Sequence, residues 1–296
     1  MTLPNGENLE RWCHNGRLRL RHWWKATSLG VGLGAFWEFA PQDCESLKQT
    51  LHILHEEGLR CFPMGNGTNV VGSDEDFSGV VLQLRDACDQ IDIATGETGA
   101  AVPIARFLRE AAHANRGGLS RLVGIPGQLG GMLAMNAGAL GQEIGSRVLS
   151  VQGFRNGEPF EWHPTPDDFA YRTCHLPDNF VITSLRIQLD PVDGTSEAAL
   201  LQEELHRRAT STPRGHSAGS VFRNPPEAPA GKLLELAGCK GLQRGNLQVS
   251  QQHANWIVKL DDAPATASDC RALFLEMQRR VLALHGIELQ SEWRWM

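Results

Sequence analysis

"GIPGQLGGMLAMNAGALGQEIG", residues 124–145, contains seven glycines within twenty-two residues. A flexible linker would instead be rich in serine and other polar residues. This segment keeps apolar side chains between its glycines, at Ile125, Leu129, Met132, Leu133 and Met135. Because glycine permits positive φ angles and a close approach of the backbone, the segment predicts backbone that packs tightly against a large ligand.

A second glycine loop, "PMGNGTN" (63–69), lies between two predicted strands, "RCFPM" (60–64) and "GVVLQL" (79–84). Backbone N–H groups in such a loop can bind a phosphate, but for this loop alone an ordinary tight turn is the stronger interpretation. Neither a Walker lysine nor a complete G-x-G-x-x-G accompanies it, and "GVGLG" (30–34) also lacks the dinucleotide spacing. The sequence therefore does not predict a Rossmann site for a nicotinamide.

Helix and strand patterns divide the chain into three regions of α+β character, with predicted limits 1–84, 85–189 and 190–296. The last region contains a long helix with Leu273, Met277, Val281 and Leu284 on one stripe, which predicts core packing. The predicted helices cover 41–58, part of 102–118, about 196–209 and 268–285, and the later strands cover 148–154, 180–189 and 255–260.

Composition favours small molecules as partners. With 28 basic and 34 acidic residues, the net charge of -6 gives no electrostatic reason to expect nucleic acid or an anionic membrane surface. No apolar run follows the N-terminal charges, so neither a signal peptide nor a membrane anchor is expected. Seven scattered cysteines without a C-x-x-C predict reduced thiols in a cytoplasm, and no metal site is expected.

A third segment, "SAGSVFRNPP" (217–226), places two serines around a glycine and ends in a rigid proline pair. One interpretation is a turn that leads into an edge strand, since these residue types commonly mark turns. The other is a catalytic hydroxyl held on a backbone that must not move. The residues alone leave both interpretations open.

Six motifs occur in one order: "P-x-G-x-G-T-N", "GIPGxxGGxxxMNAGAxGxEI", "YR" at 171–172, "SAGSVFRNP", "AGKLLExAGxKG" and "QVSxxHANxIV". Together they resemble the UDP-N-acetylenolpyruvoylglucosamine reductase (MurB) family, in the short class that lacks an extra tyrosine loop. The resemblance covers roughly residues 25–294. One such motif would be weak, whereas six in order make a chance match implausible.

The resemblance implies an enzyme of peptidoglycan synthesis that contains non-covalent FAD and takes hydride from NADPH. Two α/β subdomains of the PCMH or vanillyl-alcohol-oxidase type (1–84 and 85–189) would share the flavin, and an α+β domain (190–296) would bind the UDP-sugar. By similarity, the cofactor-binding residues are Gly65, Asn66, Gly67, Thr68, Asn69, Gly124, Ile125, Pro126, Gly127, Gly130, Gly131, Asn136, Ala137 and Gly138.

The family's three catalytic positions fall on Arg172, Ser220 and Glu292, and its substrate-binding positions on Tyr171, Asn224 and Arg294. Hydride delivery to the enolpyruvyl group leaves negative charge beside the substrate carboxylate. An arginine can bind that carboxylate through its fixed fork, a protonated glutamate can donate to the same oxygens, and a positioned serine hydroxyl can protonate the carbanion.

The sequence departs from the family at two places: Asn66 replaces a common glycine, and Trp293 replaces a smaller β-branched residue. Two alternatives to the reductase remain, a related FAD oxidoreductase with another substrate and a non-catalytic flavin or UDP-sugar binder. Arg172, Ser220 and Glu292 together favour the enzyme, because binding alone needs no proton donor. We expect a monomer in the cytoplasm that acts on UDP-N-acetylglucosamine enolpyruvate.

Overall fold

Four of the α-helices begin after a residue whose side chain caps them: Asn5, Asp43, Asp193 and Thr266. A computed structural model describes residues 3–296. At the helix that begins at Cys44, the Asp43 carboxylate accepts a hydrogen bond from the Ser46 N–H at 2.8 Å, which satisfies an otherwise unpaired donor. Within these residues the α-helices are Gly6–Trp12 (α1), Trp23–Ala26 (α2), Cys44–Glu56 (α3), Ile104–His113 (α4), Leu129–Ala134 (α5), Gly194–Ser211 (α6), Ala230–Leu236 (α7) and Ala267–His285 (α8).

The strands fall into three main sheets and several short pairs, and the mixture of helices and sheets confirms the predicted α+β class. The strands are Gly16–His22 (β1), Ala35–Pro41 (β2), Arg60–Pro63 (β3), Val70–Val71 (β4), Gly79–Leu82 (β5), Ile91–Asp92 (β6), Glu97–Gly99 (β7), Arg116–Gly117 (β8), Gly138–Ala139 (β9), Gln142–Glu143 (β10), Val148–Arg155 (β11), Glu158–Trp162 (β12), Phe169–Ala170 (β13), Thr173–Cys174 (β14), Phe180–Ile187 (β15), Asp190–Pro191 (β16), Gln243–Arg244 (β17), Leu247–Val249 (β18), Ile257–Lys259 (β19) and Arg294–Trp295 (β20).

The first unit is a four-stranded sheet in the order β1-β2-β5-β3. β5 lies parallel to both β2 and β3, and each of its residues is buried, as expected for a central parallel strand. The leucines of α3, Leu47, Leu51 and Leu54, pack with Phe39 and Leu82 in one core. This confirms the predicted helix and the two predicted strands of the region.

The second unit is a five-stranded sheet in the order β12-β11-β15-β7-β6. Its central strands, β11 and β15, are antiparallel and confirm the predicted pair. Helices α4 and α5 contribute Phe107 and Leu133 to the core that also contains Val151 and Leu185. Helix α4 ends at His113, four residues before the Gly117 at which the sequence predicted its end, because Arg116 and Gly117 instead pair with β16 as β8.

The third unit combines the three-stranded sheet β17-β18-β19 with α7 and α8 around a core that includes Phe222, Leu234 and Met277. On α8, Leu273, Met277 and Val281 are buried as predicted, whereas Leu284 is 58% exposed. The prediction for Leu284 was wrong because this residue lies on the last helical turn, beyond the buried part of the same face.

Helix α6 follows the predicted boundary at residue 190 but packs against α4, and its Leu201 belongs to the core of the second unit. The limits of the three predicted domains stay predictions. The packing shows only that this helix is held by the second unit.

A strand pair near residue 294 attaches the third unit to the first. β20 lies parallel to β4, with Arg294 opposite Val70 and Trp295 opposite Val71. Trp293, which departs from the family pattern, is 4% exposed and packs in the third core. The segment around Glu292 is therefore anchored on both sides. None of the helices in residues 3–296 is long and apolar enough to cross a membrane.

Candidate active site

A cavity of about 1600 Å³ is lined by residues of all three units. Its walls come from the loop that follows β3, from the segment that contains α5, and from residues of the third unit around Ser220 and Glu292. Sites lined by several domains are a common place for large ligands. The cavity is the place to test the residues predicted from the sequence.

The two glycine loops lie side by side at the cavity wall. The Thr68 hydroxyl donates to the Pro126 carbonyl at 2.7 Å, which joins the two loops directly. The Gln83 amide donates to the Gly65 carbonyl at 3.0 Å and fixes the first loop on its sheet. These bonds hold the backbone of both loops in place beside the cavity.

Glycine is required at one of these positions and leaves room at another. Gly67 has a φ of +62°, and a Cβ there would lie 2.6 Å from the Ala26 carbonyl oxygen. At Gly131 a Cβ would meet no protein atom within 4 Å, although the residue lines the cavity. The first glycine shapes the loop, and the second leaves space that a bound cofactor can fill. The residues present fit a large flat cofactor with a phosphate group.

Every predicted cofactor-binding residue except Asn136 lines the cavity. Asn136 is 1% exposed, and its side chain bonds only within the protein. Its amide nitrogen donates to Glu143 at 2.8 Å and to the Ala170 carbonyl at 3.0 Å, and its oxygen accepts from the Gly145 N–H at 3.1 Å. The structure thus engages this side chain in contacts within the protein and does not place it on the cavity wall.

Backbone pairing brings Ser220 and Glu292 together. The Glu292 N–H donates to the Val221 carbonyl at 2.9 Å, and Phe222 forms an antiparallel bridge with Ser291. Gly219, with a φ of +75°, supplies the turn that precedes the serine. The hydroxyl and the carboxyl are therefore placed by main-chain contacts, and both residues line the cavity.

Asn255 stabilises the segment that follows Ser220, and the sequence analysis assigned this residue no role. Its side-chain oxygen accepts from the Phe222 N–H at 2.9 Å, and its amide donates to the Phe222 carbonyl at 2.8 Å. Both bonds are buried. The sequence signal for this role was the position of Asn255 in the "QVSxxHANxIV" motif, where an amide side chain lies between two apolar residues.

Arg172 completes the group. Its Nε donates to Glu292 Oε1 at 3.0 Å, and its Nη2 donates to the Gly138 carbonyl at 2.7 Å. The Arg172 side chain is 17% exposed and that of Glu292 is 14% exposed, so the pair is largely shielded from solvent. All three predicted catalytic residues line the same cavity, and Glu292 contacts both Arg172 and the residue that follows Ser220.

Burial raises the pKa of Glu292, and the Arg172 and Arg223 guanidiniums oppose that rise. The net direction is upward because loss of water disfavours the charged carboxylate more than the two cations favour it. A raised pKa increases the protonated fraction of this carboxyl at neutral pH. Glu292 is thereby suited to donate a hydrogen bond.

The three predicted substrate-binding residues lie in different surroundings. Arg294 lines the cavity, and its N–H donates to the Asn69 carbonyl at 2.9 Å. The Tyr171 ring lies 4.9 Å from Arg172 Cζ but outside the cavity wall. Asn224 also lies outside the wall, and its side-chain oxygen accepts from the Ala230 N–H at the start of α7. The structure therefore places only Arg294 of the three at the cavity.

Arg208, near the end of α6, lines the cavity and was missed by sequence reasoning. Its Nε is buried and has no hydrogen-bond partner in the protein. An arginine with an unpaired buried donor is ready to bind an anionic ligand group. No local signal indicates this role, because Arg207-Arg208 resembles the polar face of an ordinary helix.

Two family models match the chain, an "FAD binding domain" over residues 38–155 and "UDP-N-acetylenolpyruvoylglucosamine reductase, C-terminal domain" over residues 211–296. A UDP-N-acetylenolpyruvoylglucosamine reductase of Erythrobacter litoralis is 35% identical and covers 88% of this chain and 81% of its own. The chain belongs to the UDP-N-acetylenolpyruvoylglucosamine reductase family. A reductase of the same name from Prochlorococcus marinus is 37% identical over 90% of this chain and 89% of its own.

A solved structure of the family extends the agreement to three dimensions. The UDP-N-acetylenolpyruvylglucosamine reductase (MurB) of Thermus caldophilus superposes with a TM-score of 0.82 at 32% identity, covering 95% of this chain and 99% of that one. Membership of the family confirms the predicted FAD-binding fold with its additional C-terminal domain. It also confirms an FAD-containing oxidoreductase that uses NADPH as hydride donor.

Proposed function

We propose that this chain reduces UDP-N-acetylglucosamine enolpyruvate to UDP-N-acetylmuramate, with Arg172, Ser220 and Glu292 as its catalytic residues. The observation that supports the proposal best is that all three residues line one cavity together with the two glycine loops, with Arg172 bonded to Glu292. A flavin or sugar binder would not need a serine hydroxyl and a shielded arginine–glutamate pair at that cavity. Among the alternatives, the geometry therefore favours the enzyme.

The cofactor site consists of the two joined glycine loops. Residues 65–69 and 124–131 would hold FAD, with backbone N–H groups at the pyrophosphate. These residues would hold FAD as the carrier that supplies hydride from NADPH to the enolpyruvyl carbon. Gly131 leaves open space on that wall.

Arg172 would bind the substrate carboxylate. Its guanidinium already donates to Gly138 and Glu292, so its plane is fixed before any ligand arrives. A preorganised cation at the position where negative charge develops lowers the barrier without reorganisation. The chemistry requires this, because hydride addition leaves carbanion character on the carbon next to the carboxylate.

Glu292 would donate a hydrogen bond to the substrate, and Ser220 would donate the proton. Protonated Glu292 donates to the carboxylate oxygens, an assignment consistent with its raised pKa. The Ser220 hydroxyl gives its proton to the carbanionic carbon, since even a weak acid suffices for so strong a base. The Gly219 turn and the bridge between Ser220 and Trp256 hold the hydroxyl in place.

Arg208 and Arg294 would bind anionic parts of the ligands. Both line the cavity, and the buried Arg208 Nε has no partner within the protein. A phosphate would satisfy this donor through a charge-assisted hydrogen bond. Tyr171 and Asn224, outside the cavity wall, remain predicted substrate contacts.

The domain limits and the compartment complete the proposal. We place the start of the substrate-binding domain after α6, near residue 211, because α6 packs with the second unit. We infer a cytoplasmic enzyme, since all seven cysteines are free thiols and the substrate is a nucleotide-sugar.

One assay tests the function. Purified protein loaded with FAD should oxidise NADPH rapidly only when UDP-N-acetylglucosamine enolpyruvate is present, and the product should gain two hydrogens by mass spectrometry. A protein that takes up no FAD would refute the enzyme assignment. Substrate-independent NADPH oxidation would instead point to another FAD oxidoreductase.

A further inference from the structure

The backbone of Arg172 is strained. It has a φ of +57° in the two-residue turn between β13 and β14, where Ala170 pairs with Thr173. Non-glycine residues rarely adopt this conformation, and it persists only where the surroundings enforce it. Contacts elsewhere in the protein must therefore hold this turn.

Asn136 makes the contact that fixes this turn. Its buried amide donates to the carbonyl of Ala170, two residues before Arg172, at 3.0 Å. Its second donor goes to Glu143 Oε2 at 2.8 Å, and its oxygen accepts from Gly145. Both donors and the oxygen are thus used within the protein, which ties the glycine segment to the arginine turn.

Glu143 extends the same connection to the guanidinium itself. Its Oε1 lies 3.9 Å from Arg172 Nη1, while its other oxygen accepts from Asn136. The guanidinium therefore has Glu292, Gly138 and Glu143 around its edge. A planar fork held by two hydrogen bonds and faced by a second carboxylate presents one orientation to a ligand.

We propose that Asn136 and Glu143 are positioning residues that set the orientation of Arg172 toward the substrate carboxylate. The inference rests on the proposed function, in which Arg172 binds that carboxylate. It removes Asn136 from the cofactor contacts predicted from the sequence. The alternative is that Asn136 only stabilises its loop, in which case its loss affects every ligand alike.

The experiment compares two ligands that differ in the carboxylate. UDP-N-acetylglucosamine enolpyruvate and UDP-N-acetylglucosamine are each titrated calorimetrically into FAD-loaded wild type, Asn136→Gly and Glu143→Gln. Glycine suits the Asn136 φ of +45°, so this variant removes the side chain without adding backbone strain. We expect Asn136→Gly to weaken binding of the enolpyruvyl ligand about 10-fold and to leave the other ligand unchanged, since small displacements of a positioned group are costly. Glu143→Gln should show the same selectivity with a smaller loss.

Asn115→Gly is the matched control, because Asn115 also has a positive φ of +55° and its side chain accepts from Gly194, away from the cavity. It should change neither affinity. Equal weakening of both ligands by Asn136→Gly, or loss of FAD with no selectivity in Glu143→Gln, would overturn the inference. If wild type itself does not prefer the enolpyruvyl ligand, the proposed role of Arg172 fails instead.

A double-variant cycle then tests whether Asn136 acts through Arg172. In an Arg172→Lys background, which already lacks the two-pronged grip, adding Asn136→Gly should cause no further loss of affinity for the enolpyruvyl ligand. Residues that act through one another are non-additive in this way. A full additional 10-fold loss would show that Asn136 acts independently and would refute the proposal.

Discussion

Ser220 shows how a single residue can be placed for chemistry by contacts that do not involve its side chain. The carbonyl of its neighbour Val221 accepts a hydrogen bond from the Glu292 N–H. The Asn255 side chain bonds both the N–H and the carbonyl of Phe222. None of these contacts uses the Ser220 hydroxyl. A substitution at Ser220 should remove the proton donor and leave the framework intact.

We expect Ser220→Ala to separate the two half-reactions. Flavin reduction by NADPH should continue, because it requires no protonation of the sugar. Flavin reoxidation by the enolpyruvyl sugar should slow by about 10²–10⁴, the effect of a lost general acid. Stopped-flow absorbance of the flavin measures both rates separately.

Ser217→Ala is the control for that variant. It removes a hydroxyl from the same turn, while the Ser217 carbonyl still accepts from the Ser28 hydroxyl at 2.7 Å. Its effect on reoxidation should be small. If Ser217→Ala were inactive and Ser220→Ala active, the proton donor would have been assigned to the wrong serine.

Glu292 makes the reaction dependent on pH in a defined direction. Because burial raises its pKa, the protonated form that the proposal requires persists above the usual glutamate range and is lost as pH rises through that raised pKa. The reoxidation rate should therefore fall with increasing pH.

Glu292→Gln, which keeps a neutral donor, should flatten this dependence at a reduced rate. The measurement is the reoxidation rate of both proteins across pH at constant ionic strength. An unchanged pH profile in the variant would assign the titration to another group.

At the scale of elements, the glycine loop after β3 makes a separate prediction. In Gly67→Val the added side chain would collide with the Ala26 carbonyl and would occupy a φ of +62° unfavourably, so the loop must move. We expect the purified variant to retain little FAD, measured as the ratio of flavin to protein absorbance.

Gly286→Val controls for backbone strain alone. Gly286 has a similar φ of +69° at the end of α8, and a Cβ there would meet no protein atom within 4 Å. This variant should bind FAD normally. Normal FAD content in Gly67→Val would show that the loop tolerates the displacement and does not cradle the cofactor.

The elements themselves were largely predictable, because their signals are local. The leucine spacing of α3 and the apolar run of β5 depend only on neighbouring residues. The roles of Asn136 and Arg208 could not be read in this way. Their contacts depend on segments distant in sequence, and a polar residue gives no sign of whether it faces a cavity or a neighbouring loop.

At the scale of the whole molecule, Asp74 joins the first unit to the third. Its carboxylate accepts from the Leu33 N–H at 3.1 Å and from the Ala267 and Ser268 N–H groups at 2.8 and 3.0 Å. The last two belong to the first turn of α8, where an acidic group is favourable.

Asp74→Ala should lower the free energy of unfolding by about 1 kcal/mol, a typical value for a lost cap. Asp74→Asn, which retains one oxygen acceptor, should lose less. Urea unfolding followed by tryptophan fluorescence measures both. Equal stability of Asp74→Ala and wild type would show that this junction contributes nothing.

The parallel pairing of β20 with β4 has a consequence for protein synthesis. Asn69 donates to the Glu292 carbonyl across 223 positions of sequence, and both residues line the cavity. A ribosome releases the glycine loops long before it releases Glu292. A chain interrupted before residue 292 would therefore contain the flavin loops and the serine but not the carboxyl. Under the proposed roles, such a chain should be inactive until translation has supplied the strand β20 and the glutamate before it.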